Sequence, residues 1–119
     1  MLARVPVVLL RLEGAAIFGA SIALYLDADF SVLALVLLFL APDLSFLGYL
    51  AGTRAGAMTY NAVHTELWPI VLAALGVLAD EAVLTQVGLT WLAHIGMDRA
   101  LGYGLKYPTA FQDTHLGRV

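Results

Sequence analysis

The chain has 119 residues, of which 61% are apolar and 13% carry a formal charge. Soluble domains average about 25% charged and about 45–50% apolar residues, since they must cover a large surface with polar groups. The composition therefore excludes an independent soluble domain and a disordered segment, and it offers no basic surface for nucleic acid. A mean hydropathy of +0.88 indicates a protein whose main partner is the lipid bilayer. The absence of Cys excludes disulfides and thiolate metal ligands.

Four apolar stretches are long enough to cross the roughly 30 Å hydrocarbon core of a bilayer as helices. They cover about residues 5–26, 30–50, 57–79 and 82–101. The connections between them are short, which makes neighbouring helices antiparallel. The sequence predicts an all-α integral membrane protein, with an up-down four-helix bundle over residues 1–101. Residues 102–119 are predicted to form an interfacial tail of the same domain.

The charges predict an orientation for this bundle. Basic residues concentrate on the cytoplasmic side of membrane proteins. Here all of them fall on the side shared by the N-terminus, the second loop and the tail, while the first and third loops carry acids. The basic residues are Arg4, Arg11, Arg54, Arg99, Lys106 and Arg118, and the loop acids are Asp27, Asp29, Asp80 and Glu81. We predict a multi-pass protein of the bacterial inner membrane with both termini in the cytoplasm.

Ionisable side chains inside the predicted spans share one depth. At 1.5 Å per helical residue, Asp43, His64 and His94 lie about 10 Å from the cytoplasmic end of their spans. Glu13 lies about 12 Å deep and Asp98 about 5 Å deep. Such groups are costly inside a membrane and are functional candidates for that reason. All four spans therefore contribute an acid or an imidazole to the cytoplasmic half of the bundle.

Two local patterns orient these groups. His94 and Asp98 are four residues apart, so their side chains share one helix face. Asp43 follows Pro42, which lacks an N–H group and therefore frees backbone carbonyls beside the acid. These patterns predict that the polar groups face one another inside the bundle.

Two imidazoles and two carboxylates form a ligand set suited to Zn²⁺, Mn²⁺, Fe²⁺ or Mg²⁺. We predict a divalent metal site whose ligands are Asp43, His64, His94 and Asp98. The metal charge would compensate the buried carboxylates, and an open coordination position would activate a water molecule. Glu13 is then the candidate general base. Asn61, three residues before His64, is the candidate orienting group.

Other interpretations of the same residues remain open. The His94–Asp98 pair also fits a charge-paired structural network or a proton path, as in an ion-conducting or small transport protein. The opposite half of the bundle offers few polar groups for such a path, namely Ser21, Thr85 and Gln86. A non-catalytic subunit that holds haem between two histidines is a further alternative. Glu66 projects about 200° away from His64 on an ideal helix, and we expect it to pair with Arg11 or Arg54.

The tail combines aromatic and basic residues. Gly102 is expected to end the fourth helix, and Thr109 with Gln112 resembles a capping box that predicts a short helix over residues 110–116. The simplest interpretation is an aromatic belt at the membrane interface. A functional one is a site for an anionic head group or phosphate. Its candidate substrate-binding residues are Arg99, Tyr103, Lys106 and His115.

Several motifs resemble a bacterial family of small four-span membrane proteins of unknown function. They are Arg11-Leu-Glu-Gly14, Ala41-Pro-Asp-Leu-Ser45, Tyr60-Asn-Ala-Val-His-Thr65, Trp91-Leu-Ala-His-Ile-Gly-Met-Asp-Arg99 and Gly102-Tyr-Gly-Leu-Lys-Tyr-Pro108. This resemblance implies no activity. A homodimer is also expected, with Gly14, Phe18 and the Gly48-x3-Gly52 pattern as positions of close helix approach.

A more distant similarity carries a functional implication. Pro42-Asp43, His64-Thr65 and His94-x3-Asp98 resemble, in order, motifs of the inner-membrane-associated metal-dependent hydrolases, a group that includes a LexA-binding protein. The resemblance implies that these Asp and His residues are metal ligands. Our first hypothesis for the function is a membrane-embedded metal-dependent hydrolase that acts on a lipid-like or phosphorylated small molecule. Leu44-Ser45 stands where that family carries a further Asp and His, so the resemblance does not extend to a second metal.

Overall fold

The computed structural model describes residues 5–108 and 112–118, which are helical apart from short connections and one isolated β-bridge. In chain order the elements are α1 (Val5–Asp27), α2 (Val32–Leu38), a 3-10 helix (Ala41–Ala51), α3 (Thr53–Val63), α4 (Leu67–Leu78), α5 (Ala82–Leu101) and α6 (His115–Arg118). The predicted all-α class is therefore confirmed for the described residues.

Three helical stretches are long and apolar enough to cross a membrane. They are Val5–Asp27, Val32–Ala51 and Thr53–Leu78, which correspond to the first three predicted spans. Helix α5, the fourth predicted span, is not among them. Nine of its 20 residues are buried, against three of 23 in α1. Its lower hydropathy therefore has a physical reason, since its polar side chains face protein.

The second and third predicted spans are not continuous α-helices. The second changes from α2 to the tighter 3-10 helix at Ala41, because Pro42 has no N–H to continue the α-helical ladder. The third is interrupted between Val63 and Leu67. Pro69 lies in the first turn of α4, where N–H groups have no partner within the helix. Both interruptions fall beside predicted metal ligands.

The predicted second loop, residues 51–56, was wrong in its extent. Helix α3 already begins at Thr53, and Gly52 alone separates it from the 3-10 helix. Gly52 has a φ of +116°, a conformation that a residue without Cβ adopts at little cost. The chain therefore reverses direction within one residue.

Helices α1 and α5 run antiparallel in close contact. Arg11 Nε donates a hydrogen bond to the Ala100 carbonyl over 2.9 Å at one end. Near the other end, Gln86 Nε2 donates to the Tyr25 hydroxyl over 3.0 Å. The backbones approach closely between these bonds, where a Cβ on Gly14 would lie 2.7 Å from the Ala100 nitrogen. A small residue is therefore required there.

Two further antiparallel pairs complete the helical part. Helix α4 packs on α5, where a Cβ on Gly88 would lie 2.7 Å from the Ala73 nitrogen. The 3-10 helix packs on α3, and Thr59 Oγ1 donates to the Ser45 carbonyl over 3.1 Å. Gly48 faces Thr59 in this pair. Two glycines predicted to approach a second copy, Gly14 and Gly48, thus contact residues of their own chain.

The tail forms a short hairpin before its helix. Gly102 ends α5 in the left-handed conformation, as predicted. The predicted helix over residues 110–116 is wrong in its described part, since α6 begins only at His115. Backbone bonds from Tyr107 N to Asp113 O and from His115 N to Leu105 O pair Lys106 with Thr114 in an antiparallel bridge, so helix does not form there. Residues 109–111, which include the predicted cap at Thr109, lie outside the described residues.

The tail is expected to loosen in mild acid. His115 Nδ1 accepts a hydrogen bond from the Leu105 amide over 2.7 Å, which requires a neutral imidazole. Burial, and then the charge of Arg99, lower the pKa of His115. The folded tail therefore binds fewer protons than the unfolded one. Its stability is complete above the ordinary histidine pKa of about 6.5 and declines as the pH falls through the lower folded-state pKa.

The protection of the Leu105 amide against hydrogen exchange measures this effect. We expect its protection factor to fall between pH 7.5 and pH 5 in the wild type. In His115→Asn, a side-chain oxygen that does not titrate replaces Nδ1 as acceptor, so the factor should not depend on pH. A wild-type factor that is constant over this range would contradict the assignment.

Candidate metal centre

Four side chains converge at the point where the two interrupted spans meet α5. Asp43 lies in the first turn of the 3-10 helix, and His64 lies at the break between α3 and α4. His94 and Asp98 are one turn apart on α5. One ligand atom from each residue lies within 4.8 Å of all the others, so together they could hold a metal ion.

The distances between these atoms match a tetrahedral site. His64 Nε2 lies 3.2 Å from His94 Nε2 and 3.5 Å from both Asp43 Oδ1 and Asp98 Oδ2. His94 Nε2 lies 3.1 Å from Asp43 Oδ1 and 3.2 Å from Asp98 Oδ2. A tetrahedral ion about 2.0–2.1 Å from four ligand atoms requires those atoms to be about 3.3–3.4 Å apart. Five of the six separations therefore have the size that a bound Zn²⁺ needs.

Backbone carbonyls determine which nitrogen of each imidazole is free to bind a metal. His64 Nδ1 lies 2.9 Å from the Tyr60 carbonyl, and His94 Nδ1 lies 2.7 Å from the Phe39 carbonyl. A carbonyl oxygen only accepts, so each Nδ1 carries a proton. In the neutral imidazoles both Nε2 atoms then present lone pairs to the cluster. A second hydrogen bond that fixes the tautomer is typical of metal-binding histidines.

The helix break at Pro42 supplies one of these carbonyls. Asp43 N donates to the Leu40 carbonyl over 3.0 Å, rather than to Phe39 as an α-helix would require. The Phe39 carbonyl is thereby released and accepts from His94 instead. The predicted freeing of carbonyls beside Asp43 is thus observed.

Three of the four cluster residues are buried, and the fourth, Asp43, is partly exposed. His64 and His94 have no exposed surface, and Asp98 is 7% exposed. The ring of Tyr60 stacks on His64 with centroids 3.8 Å apart. The side chain of Asp43 is 36% exposed, so solvent or a ligand approaches the cluster from the Asp43 side.

Two side chains donate hydrogen bonds to the backbone at the helix interruption that contains His64. Trp91 Nε1 donates to the Val63 carbonyl over 2.5 Å, and Arg99 Nη2 donates to the His64 carbonyl over 2.8 Å. Arg99 Nη1 also donates to the Tyr103 carbonyl over 2.9 Å. Arg99, a predicted substrate-binding residue, therefore contacts backbone here. Sequence reasoning missed the supporting role of Trp91, although its position one turn before His94 was a usable signal.

A polar cavity of about 310 Å³ adjoins the open side of the cluster. It is lined by Asp43, Phe46, Tyr60, Asp98, Tyr103 and Lys106. The ammonium of Lys106 lies 4.7 Å above the Tyr60 ring. Burial lowers the pKa of Lys106, while the nearby Asp98 carboxylate acts in the opposite direction. Two predicted substrate-binding residues, Tyr103 and Lys106, thus share a cavity with two predicted metal ligands.

The side chain of Asn61 forms two hydrogen bonds with the backbone of Lys106. Its amide donates to the Lys106 carbonyl over 2.7 Å and accepts from the Lys106 amide over 2.6 Å. This pair of bonds fixes the tail segment against α3. Asn61 thereby places Lys106 beside the cavity, while its predicted orienting role toward a ligand remains a prediction.

Glu13 does not line the polar cavity. It lines a second cavity of about 310 Å³ together with Glu66, Arg99 and His115. Its role as a general base stays a prediction, as does substrate binding by His115.

The expected ion pair of Glu66 with Arg11 or Arg54 is not seen among the described residues. Glu66 faces the charge of Arg99, and Arg11 donates to the α5 backbone.

Comparison with known protein families identifies the family to which the chain belongs. Residues 7–119 match the family described as a domain of unknown function, DUF4260. The chain belongs to this family. The predicted membership of an uncharacterised family is thus confirmed, and the family supplies no activity for the cluster. No curated protein and no solved structure matches the chain.

Proposed function

We propose that this member of the DUF4260 family is a membrane-embedded, metal-dependent hydrolase. Its divalent metal would be held by Asp43, His64, His94 and Asp98. The observation that carries the proposal is the meeting of two imidazole lone pairs and two carboxylates within a few ångströms. Four acceptors at such distances repel one another unless a metal cation or protons lie between them. The ligand types and separations favour Zn²⁺, with Mn²⁺, Fe²⁺ and Mg²⁺ as candidates.

The proposed setting is a four-span bundle in the bacterial inner membrane. Three helices have the length and hydropathy of spans, and α5, about 30 Å long at 1.5 Å per residue, is proposed as the fourth. Its polar side chains face the protein, so a lower hydropathy is compatible with a central span. The basic residues support a cytoplasmic location for the loop at Gly52 and for the tail. Arg4, the first of these residues, lies outside the described residues.

The proposed reaction is hydrolysis of a phosphoester. The water oxygen bonds to phosphorus, and the P–O bond to the alcohol breaks with its electron pair on the alcohol oxygen. One water proton ends on that oxygen, and the other hydrogen remains on the phosphate. A bound divalent metal supplies Lewis acidity and lowers the pKa of water. Lys106 is placed to attract the phosphate into the polar cavity, and Asp43 forms the open edge of the metal site.

Hydrolysis by purified protein in detergent tests this proposal. The protein is loaded in turn with Zn²⁺, Mn²⁺, Fe²⁺ and Mg²⁺, and release of p-nitrophenol from p-nitrophenyl phosphate is followed. We expect turnover with at least one metal. Asp43→Asn should reduce it by about 100-fold or more, because a carboxylate ligand is lost. Asp113→Asn, which changes the same residue type in the tail, should keep the wild-type rate. Metal-loaded protein that hydrolyses no phosphoester would overturn the proposal.

A further inference from the structure

An apolar groove lies next to the metal centre and shares no wall residue with the polar cavity. It has a volume of about 330 Å³, and its walls include Leu38, Pro42, Val63, Val87 and Trp91. This volume is at the lower end of the range for small-molecule sites, about 300–1,000 Å³. Leu38 is 46% exposed and Val87 is 40% exposed, so the groove opens at the surface.

Exposed leucines lie close in sequence to the groove residues Leu38 and Pro42. Leu37 is 71% exposed, Leu40 is 60% exposed and Leu44 is 68% exposed. In the proposed setting these leucines contact lipid tails. An alkyl chain from the bilayer would then enter the groove without passing through water, whereas a soluble molecule would have to leave water first.

Two residues that line the groove each directly precede a cluster residue in the sequence. Pro42 lines the groove and Asp43 belongs to the cluster, while Val63 lines the groove and His64 belongs to the cluster. Consecutive Cα atoms are 3.8 Å apart. Two residues of the groove wall are therefore directly bonded to residues of the cluster.

The charges on the cavity side suit an anion. Two carboxylates and one ammonium group line the polar cavity, from Asp43, Asp98 and Lys106. With a divalent metal ion added, these four charges sum to +1. A phosphate group would bring negative charge to this site, where the metal and Lys106 would both attract it.

We propose that the substrate is an anionic amphiphile, a membrane lipid with a phosphoester bond between an alkyl alcohol and a phosphate group. Its chain lies in the apolar groove, and its phosphate enters the polar cavity at the metal. This inference rests on the proposed function, because it names the substrate of the same site. The bond that breaks is the P–O bond described above, which lies at the junction between groove and cavity.

A variant that fills the groove mouth tests the inference. Val87→Phe places a larger side chain in the groove without changing a cluster residue. Val83→Phe is the matched control, since Val83 lies one turn earlier on α5 and is 66% exposed. Both variants should bind the same amount of metal as the wild type. Activity is compared on dodecyl phosphate, which carries a chain, and on p-nitrophenyl phosphate, which does not.

We expect Val87→Phe to lower kcat/KM for dodecyl phosphate by about tenfold or more, the size of effect that pocket shape produces in hydrophobic sites. Its kcat/KM for p-nitrophenyl phosphate should stay within about twofold of the wild type, and Val83→Phe should match the wild type on both. Lys106→Gln should lower both activities. Equal effects of Val87→Phe on both substrates, or no effect on either, would overturn the amphiphile assignment and leave the hydrolase proposal standing.

Binding provides a second measurement that does not depend on turnover. Retention of dodecyl phosphate and of inorganic phosphate by metal-loaded protein in detergent is compared by equilibrium dialysis. We expect the protein to retain more dodecyl phosphate than inorganic phosphate, and this difference should be lost in Val87→Phe and kept in Val83→Phe. That result would support a lipid ligand even if the protein hydrolyses neither dodecyl phosphate nor p-nitrophenyl phosphate. Equal retention of the two phosphates would show that the site takes a free anion and would overturn the lipid assignment.

Discussion

Removal of the metal is expected to lower the stability of the protein by several kcal/mol. A metal that binds only the folded state adds about 4 kcal/mol to the free energy of unfolding when its free concentration is about 1,000 times Kd. The metal should also join two parts of the fold, because Asp43 and His64 belong to the interrupted spans, while His94 and Asp98 belong to α5. We expect about one equivalent of metal per chain by elemental analysis and a lower melting temperature after chelation.

His94→Ala and His115→Ala form a matched pair for this experiment. His94→Ala removes a ligand and should abolish both the bound metal and the effect of chelation. His115→Ala removes a histidine outside the cluster and should leave metal content unchanged. A charge-paired network without metal predicts the same melting temperature with and without chelator. A folded wild type that takes up none of the four candidate metals would therefore support that network and contradict the metal site.

The position of the cluster was predictable because it depends on helix geometry. A similar predicted depth for Asp43, His64 and His94 indicated a common site, and the structure brings them together with Asp98, although the spans of Asp43 and His64 are not continuous α-helices. The spacing of His94 and Asp98 on one helix face also appears directly, as an Nε2–Oδ2 distance of 3.2 Å. These inferences needed only the direction of each span and the count of residues along it.

The groups that orient the cluster were not predictable in the same way. The Tyr60 and Phe39 carbonyls fix the two imidazoles, and any residue carries such a carbonyl. Which carbonyl is available depends on where a helix breaks. Pro42 indicated one break, and Pro69 in the first turn of α4 is a comparable signal for the break at His64. The hydrogen bond from Trp91 to the Val63 carbonyl is a tertiary contact that the sequence does not show. The tail helix was misplaced for a related reason, because pairing between distant tail segments outweighed a local capping pattern.

Gly14→Ala is expected to destabilise the contact between α1 and α5 by about 1–3 kcal/mol, the cost of adding one methyl group to a packed interface. A Cβ at this position would lie 2.7 Å from the Ala100 nitrogen and 2.9 Å from the Arg99 carbonyl carbon. Both atoms belong to the backbone, so rotation of a side chain does not relieve the clash. The helices would have to separate, and α5 carries two of the four proposed ligands.

Gly19→Ala provides the comparison within the same helix. A Cβ at Gly19 meets no atom within 4 Å, so Ala should be accommodated there and stabilise the helix by about 0.5–1 kcal/mol. Thermal unfolding in detergent measures both variants, and metal titration shows whether displacement of α5 weakens the site. We expect Gly14→Ala to melt at a lower temperature and bind metal more weakly than Gly19→Ala. Equal melting temperatures would mean that α1 and α5 do not pack through Gly14, since only this packing distinguishes the two positions.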